Sequence, residues 1–154
     1  MGFRHTTHLC PDTLIVDTGS SNTWVGAGKE YIRTSTSVNT SSLTFVSYEG
    51  GNFSGREYFD QVSLASGLII SNQSIGVATS STGFVGVDGV LGIGPVDLTK
   101  GTVFGEDTVP TVTDNLFSQV GSDLPRQCET WKAYEDGAVV GHHHEQRDWG
   151  ILRT

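Results

Sequence analysis

Val16-Asp17-Thr18-Gly19-Ser20-Ser21-Asn22-Thr23-Trp24-Val25 is the stretch on which the reading of this chain turns. It follows the apolar run Leu14-Ile15-Val16, so a buried-type strand delivers Asp17 to a Thr-Gly turn. Gly19 is expected to supply backbone angles closed to other residues, letting the chain curl around the Asp17 side chain. Backbone N–H groups and the Ser20 hydroxyl can then hydrogen-bond the carboxylate and favour its ionised form. A second carboxylate a few Å away would share a proton with it. The charged member could take a proton from water while the neutral member donates one to a carbonyl oxygen. The 154 residues contain no second Asp-Thr-Gly and no Asp-Ser-Gly, so the sequence shows one such carboxylate.

Working outward, the body of the chain reads as short strands. Residues 42–48 roughly alternate, Glu49-Gly50-Gly51-Asn52 is a turn signal, and 53–64 can return as a partner, giving a long hairpin over 43–64. Further strand is expected at 68–70 and 73–78. The repeated glycines of Val87-Asp88-Gly89-Val90-Leu91-Gly92-Ile93-Gly94-Pro95 imply that another backbone passes close by. One helix is expected over 112–119, with Thr111 or Thr113 as its N-cap.

Four of these segments together resemble the N-terminal lobe of the pepsin-like aspartic proteases, most of all secreted fungal members. Residues 16–25 resemble the active-site motif. Tyr48 within Val46-Ser47-Tyr48-Glu49-Gly50-Gly51-Asn52-Phe53-Ser54-Gly55 resembles the flap, a hairpin that closes over bound peptide. Asp88-Gly89-Val90-Leu91-Gly92 resembles the apolar segment behind the catalytic loop, and Pro110-Thr111-Val112-Thr113-Asp114-Asn115-Leu116-Phe117-Ser118-Gln119 the helix after it. The loop containing Ala27-Gly28-Lys29 adds to the fungal likeness.

The resemblance implies an all-β fold, one lobe of a double-β-barrel, mostly antiparallel, with one or two short helices. It implies an aspartic endopeptidase with Asp17 catalytic and Thr18, Gly19, Ser20 and Trp24 in support. Thr18 would anchor the loop to a partner lobe, Ser20 would orient the carboxylate, and Trp24 would donate its indole N–H to Tyr48. Tyr48, Gly50 and Gly51 would form the flap and contact substrate. No cofactor and no metal are implied. The partners implied are a peptide or protein substrate and either a C-terminal lobe or a second copy to complete the dyad. Localisation by resemblance is secreted or vacuolar.

This chain departs from the family pattern in three ways. Glu49 stands where the family usually has Gly after the flap Tyr. The segment before Leu14 lacks the usual Gly-Thr-Pro-x-Gln turn, and the first strands of the lobe are expected to be missing. The second lobe, with its own catalytic Asp, is not recognisable in these residues. A homodimer pairing two copies of Asp17 and a non-catalytic peptide-binding lobe therefore stand as alternatives.

Composition agrees with a strand-and-turn protein: 36% hydrophobic, 17% charged, 20 glycines. A formal net charge of −8 argues against nucleic acid and anionic membranes as partners. No apolar run is long enough for a transmembrane helix, and the first residues hold no signal-peptide core. Composition shifts near residue 120. Residues 1–120 hold 31 Ser plus Thr, whereas 121–154 hold 3, with two of the three Trp. The expected organisation is an atypical segment 1–12, a partial lobe 13–120 and an irregular tail 121–154.

Several other features read as structural. His142-His143-His144 lack the spacing of metal ligands and read as a solvated tail. Gly89–Gly94 lacks the Lys-Ser/Thr and βαβ context of a nucleotide loop. Asp88 is expected to be structural, and Cys10 and Cys128 non-catalytic. Asn39, Asn52 and Asn72 each begin an Asn-x-Ser sequon.

Overall fold

The computed structural model describes residues 2–5 and 11–123. Cys10, Cys128 and His142–His144 lie outside the described residues, as does the expected tail from 124 onward.

Among the described residues seven strands form one sheet: β1 (Gly2–His5), β2 (Asp12–Asp17), β3 (Trp24–Val25), β4 (Val38–Tyr48), β5 (Gly51–Ala65), β6 (Leu68–Thr82) and β7 (Gly89–Gly92). A 3-10 turn at Val96–Thr99 and one helix, α1 (Val112–Asp123), follow. The strand order is β1-β2-β7-β3-β6-β5-β4, and β1 also pairs with β5, so the sheet curls back on itself. Most pairings are antiparallel. The parallel ones, β2 with β7 and β3 with β6, meet around the Asp17 turn. The all-β, mostly antiparallel expectation holds, with one α-helix.

Particular elements differ from the expectation in extent. The two segments at 68–70 and 73–78 are one strand of fifteen residues that runs on to Thr82. Exposed Ser71 and Asn72 sit at an irregularity in its register with β5, which is why the sequence there breaks alternation. The hairpin begins at Val38 rather than 43, because a bulge between Asn39 and Leu43 interrupts the pattern without ending the strand. Residues 2–5 form a strand, pairing Gly2 with Thr13 and Arg4 with Ser63, where the sequence led us to expect the first strands to be missing. Pairing of backbone groups needs no particular side chains, so no motif announces it.

Side-chain alternation divides the core into two clusters. Leu14, Val25, Tyr58, Val62, Ile70, Ile75, Leu91 and Val112 form the larger. Trp24, Val46, Phe53 and Val90 form the smaller, with Tyr48 and Phe84 packed against it. Trp24 and Phe53 stack with centroids 4.3 Å apart, and Phe84 meets Trp24 edge-on at 4.8 Å. Such pairs contribute about 1 kcal/mol each beyond the area they bury. Gly76 makes room for the stack, since a Cβ there would lie 2.7 Å from Phe53 Cζ. At α1, Thr111 Oγ1 accepts from Asp114 N while Asp114 Oδ2 accepts from Thr111 N, a reciprocal cap on the expected Thr.

Candidate active site

Asp17 is the last residue of β2 and lies opposite Gly92 of β7. Its backbone carbonyl accepts from Ile93 N at 2.9 Å, so the parallel pairing holds the start of the turn. One carboxylate oxygen, Oδ1, accepts from Gly19 N at 2.9 Å, which closes an Asx turn. The turn does not use the conformational freedom expected of Gly19, whose φ is not in the left-handed region. The side-chain-to-backbone bond sets the curl instead.

The loop after Asp17 is bolted to the segment behind it. Gly94 N donates to Ser20 O at 2.9 Å and Ser21 Oγ to Pro95 O at 2.6 Å. Asn22 Nδ2 donates to Thr102 Oγ1 at 2.9 Å, and Thr113 Oγ1 at the start of α1 donates to Gly94 O at 3.1 Å. Ser21, Asn22 and Thr23 are all buried although polar. These groups fix the height of the carboxylate. The sequence assigns Ser21, Asn22 and Thr102 no role of their own, because their partners are 74 to 80 residues away.

Trp24, fully buried, donates its indole N–H to the Tyr48 hydroxyl at 3.0 Å. Tyr48 ends β4 and pairs with Gly51, leaving Glu49 and Gly50 as the exposed tip of the hairpin. Burial pushes the Tyr48 hydroxyl up to about 12, the Trp24 hydrogen bond and the nearby Ser20 hydroxyl pull it partly back, and the Asp17 charge raises it further. Asp17 and Tyr48 therefore sit within electrostatic reach of one another, on elements 31 residues apart in the chain. Phe84 closes the arrangement, edge-on to Tyr48 at 5.4 Å. Lying between glycines in a loop, Phe84 carried no sequence signal.

The remaining predicted site residues are placed as follows. Thr18 and Gly19 are exposed beside Asp17. The Ser20 hydroxyl is buried and turned toward Tyr48 short of full hydrogen-bond geometry. It makes no bond to Asp17, contrary to the orienting role expected of it. Gly51 backs onto the end of β6, where a Cβ would run into the Thr82 carbonyl. Gly50 has open space around it and a φ outside the left-handed region, so the tip does not demand glycine there.

Asp88 has the structural place expected of it. Burial pushes its carboxyl up, but the Thr13 N–H at 2.8 Å and the Lys29 ammonium at 3.0 Å outweigh that and hold it below the usual range. Among the described residues no cluster of three or more His, Cys, Asp or Glu could hold a metal ion. No described helix is long and apolar enough to cross a membrane.

The chain is 61% identical over 109 residues to polyporopepsin of Irpex lacteus, an alignment covering 70% of this chain and 32% of that protein. The crystal structure of an aspartic proteinase from Irpex lacteus superposes with a TM-score of 0.68 at 59% identity, covering 71% of this chain and 32% of that one. This chain thus spans about a third of the length of the relatives it matches. The family model described as eukaryotic aspartyl protease matches residues 11–124, and the chain belongs to that family.

Proposed function

We propose that this chain carries the N-terminal half of an aspartic endopeptidase site, with Asp17 as one of two catalytic carboxylates. The observation that carries the reading is the Trp24–Tyr48 hydrogen bond. It ties the aromatic of the hairpin to the strand that follows the Asp17 turn, so flap and carboxylate form one unit. An extended peptide would lie under the tip, with Gly50 and Gly51 offering backbone groups to it. A water held by the two carboxylates would attack the peptide carbonyl, one carboxylate taking its proton and the other protonating the carbonyl oxygen. No covalent intermediate forms on the protein.

The second carboxylate has to come from outside the described residues. Ile15 and Val16, next to Asp17, are 43% and 45% exposed, an apolar surface that a partner would cover. A C-terminal lobe is the preferred partner, since the match covers only 32% of each relative. Thr18, exposed beside Asp17, would meet it. A second copy of the chain is the other reading, because a two-fold axis beside Asp17 would bring two such carboxylates together. A secreted or vacuolar location follows from the same reading.

The test is cleavage of a denatured protein at about pH 3–5, where one of two paired carboxylates holds a proton. Purified chain is compared with Asp17→Ala, and molecular mass in solution is measured alongside. Cleavage by a dimer that the substitution abolishes would establish the homodimeric site. A folded monomer without cleavage is expected if the second carboxylate belongs to another lobe. Cleavage that survives Asp17→Ala would remove Asp17 from the mechanism.

A further inference from the structure

Three Asn-x-Ser sequons place an amide two residues before a hydroxyl, the pattern that accepts an N-linked glycan. Asn39, Asn52 and Asn72 are all exposed, so exposure does not separate them. The use the fold makes of the surrounding side chains does. At Asn72 the hydroxyl two residues on belongs to the interior: Ser74 is 2% exposed and donates to Glu57 at 2.5 Å. Asn52 rises from β5 between Ser47 and Thr82, one residue past the flap pair Tyr48–Gly51, where a glycan would stand over the hairpin tip.

Asn39 differs from both. It sits where the β4–β5 register slips, and residues 40–42 bulge away from β5. Its Oδ1 accepts from Ser41 N at 2.8 Å, and Ser41 is exposed with a φ of 69°. No hydrogen bond among the described residues uses the Ser41 hydroxyl, so the fold gives that serine no other task. Strand β4 is the last in the sheet order. The 102–104 segment covers its outer edge only near Leu43 and Phe45, through Phe45 N to Thr102 O and Phe104 N to Leu43 O. No described strand pairs with 38–42 on that side, and Val38 and Leu43 are both more than half exposed. An open edge flanked by apolar side chains is a template for unwanted strand pairing.

We propose that Asn39 is an N-glycosylation site whose glycan shields the open edge of β4. The donor class is a lipid-linked oligosaccharide pyrophosphate. The bond from the first sugar's C1 to the pyrophosphate oxygen breaks, and a bond from that C1 to Asn39 Nδ2 forms. The amide gives up one proton, and the lipid pyrophosphate leaves. Nδ2 keeps one N–H, enough for its hydrogen bond to the Tyr58 hydroxyl at 3.3 Å. The fold's part is to tolerate the sugar, which an exposed bulge does.

The experiment expresses the full chain behind a cleavable secretory leader in a eukaryotic host and maps glycopeptides on secreted and retained material together. Asn39 is expected to be occupied in most molecules, and Ser41→Ala is expected to empty it. Bacterially made Ser41→Ala should melt with the unsubstituted protein, which separates a lost sequon from a lost fold. Sugar confined to Asn52 or Asn72, or no sugar at all, overturns the assignment. Enzymatic removal of the glycan should raise light scattering on warming several-fold, and unchanged scattering overturns the shielding role. None of these readouts depends on peptide cleavage.

Discussion

Trp24 holds a hydrogen bond and a ring stack at once, and the two are separable by substitution. Phe in its place keeps much of the contact with Phe53 but removes the donor to Tyr48. Tyr48→Phe instead leaves a buried indole N–H without its acceptor, which costs roughly 1–3 kcal/mol. A double-mutant cycle on Trp24→Phe and Tyr48→Phe, read by urea unfolding, should show a coupling of about 1 kcal/mol. Strict additivity would mean that the bond contributes nothing to stability and that the flap is held by packing alone. This pair was legible before the fold was known, because a Trp placed seven residues after Asp17 and a Tyr before a Gly-rich tip are local signals. The Ser20 hydroxyl was not, since its direction depends on where Tyr48 arrives in space.

At the scale of elements, the hairpin β4–β5 and strand β6 form one wall, and two glycines in it have opposite roles. A Cβ at Gly76 would meet Phe53 Cε2 at 2.8 Å and Trp24 Cβ at 3.1 Å, so Gly76→Ala should destabilise by about 2 kcal/mol. Gly50→Ala at the open tip should change stability by less than about 0.5 kcal/mol. Urea midpoints compare the two, and equal costs would refute the packing account of the Trp24–Phe53 stack. The elements themselves could be read from alternation, the Gly-Gly turn and the Thr-capped helix, all of which act within a few residues. What could not be read was register. The slips at Asn39/Leu43 and Asp60/Val62 depend on cross-strand fit. So does the hydroxyl cluster in which Tyr31, Thr36 and Ser37 donate to buried Asp60 and tie the 31–37 loop to β5. The likeness of order and spacing over residues 13–120 conveyed the family, while pairings such as β1 with β5 carried no motif at all.

For the whole molecule, two carboxyls set opposite limits on the pH range in which the chain is stable. Glu57 is 3% exposed on β5. Burial pushes its carboxyl up to about 7, the Ser74 hydrogen bond and the nearby Thr44 hydroxyl only partly offset this, and among the described residues Oε2 has no hydrogen-bond partner. It lines a cavity of about 200 Å³ with Thr40, Ser42, Phe59 and Glu106, and among the described residues no Lys, Arg or His lines that cavity to compensate its charge. Since its folded pKa is raised, Glu57 contributes stability fully below about 4.5, and that contribution is lost as pH rises through about 7. The loss is on the order of 3 kcal/mol. Asp88 is lowered by Thr13 N–H and Lys29, so its contribution is present above 3.8 and is lost as pH falls below that value. Stability should therefore peak at mildly acidic pH, the range in which a shared-proton carboxylate pair works. Thermal melting followed from pH 4 to 8 should show the unsubstituted chain losing several degrees above pH 5 while Glu57→Gln stays nearly flat. If both chains lose the same amount, the alkaline limit lies elsewhere and Glu57 is already satisfied by its hydroxyl neighbours. If the substitution flattens the profile, a single side chain on β5 confines the fold to acidic pH.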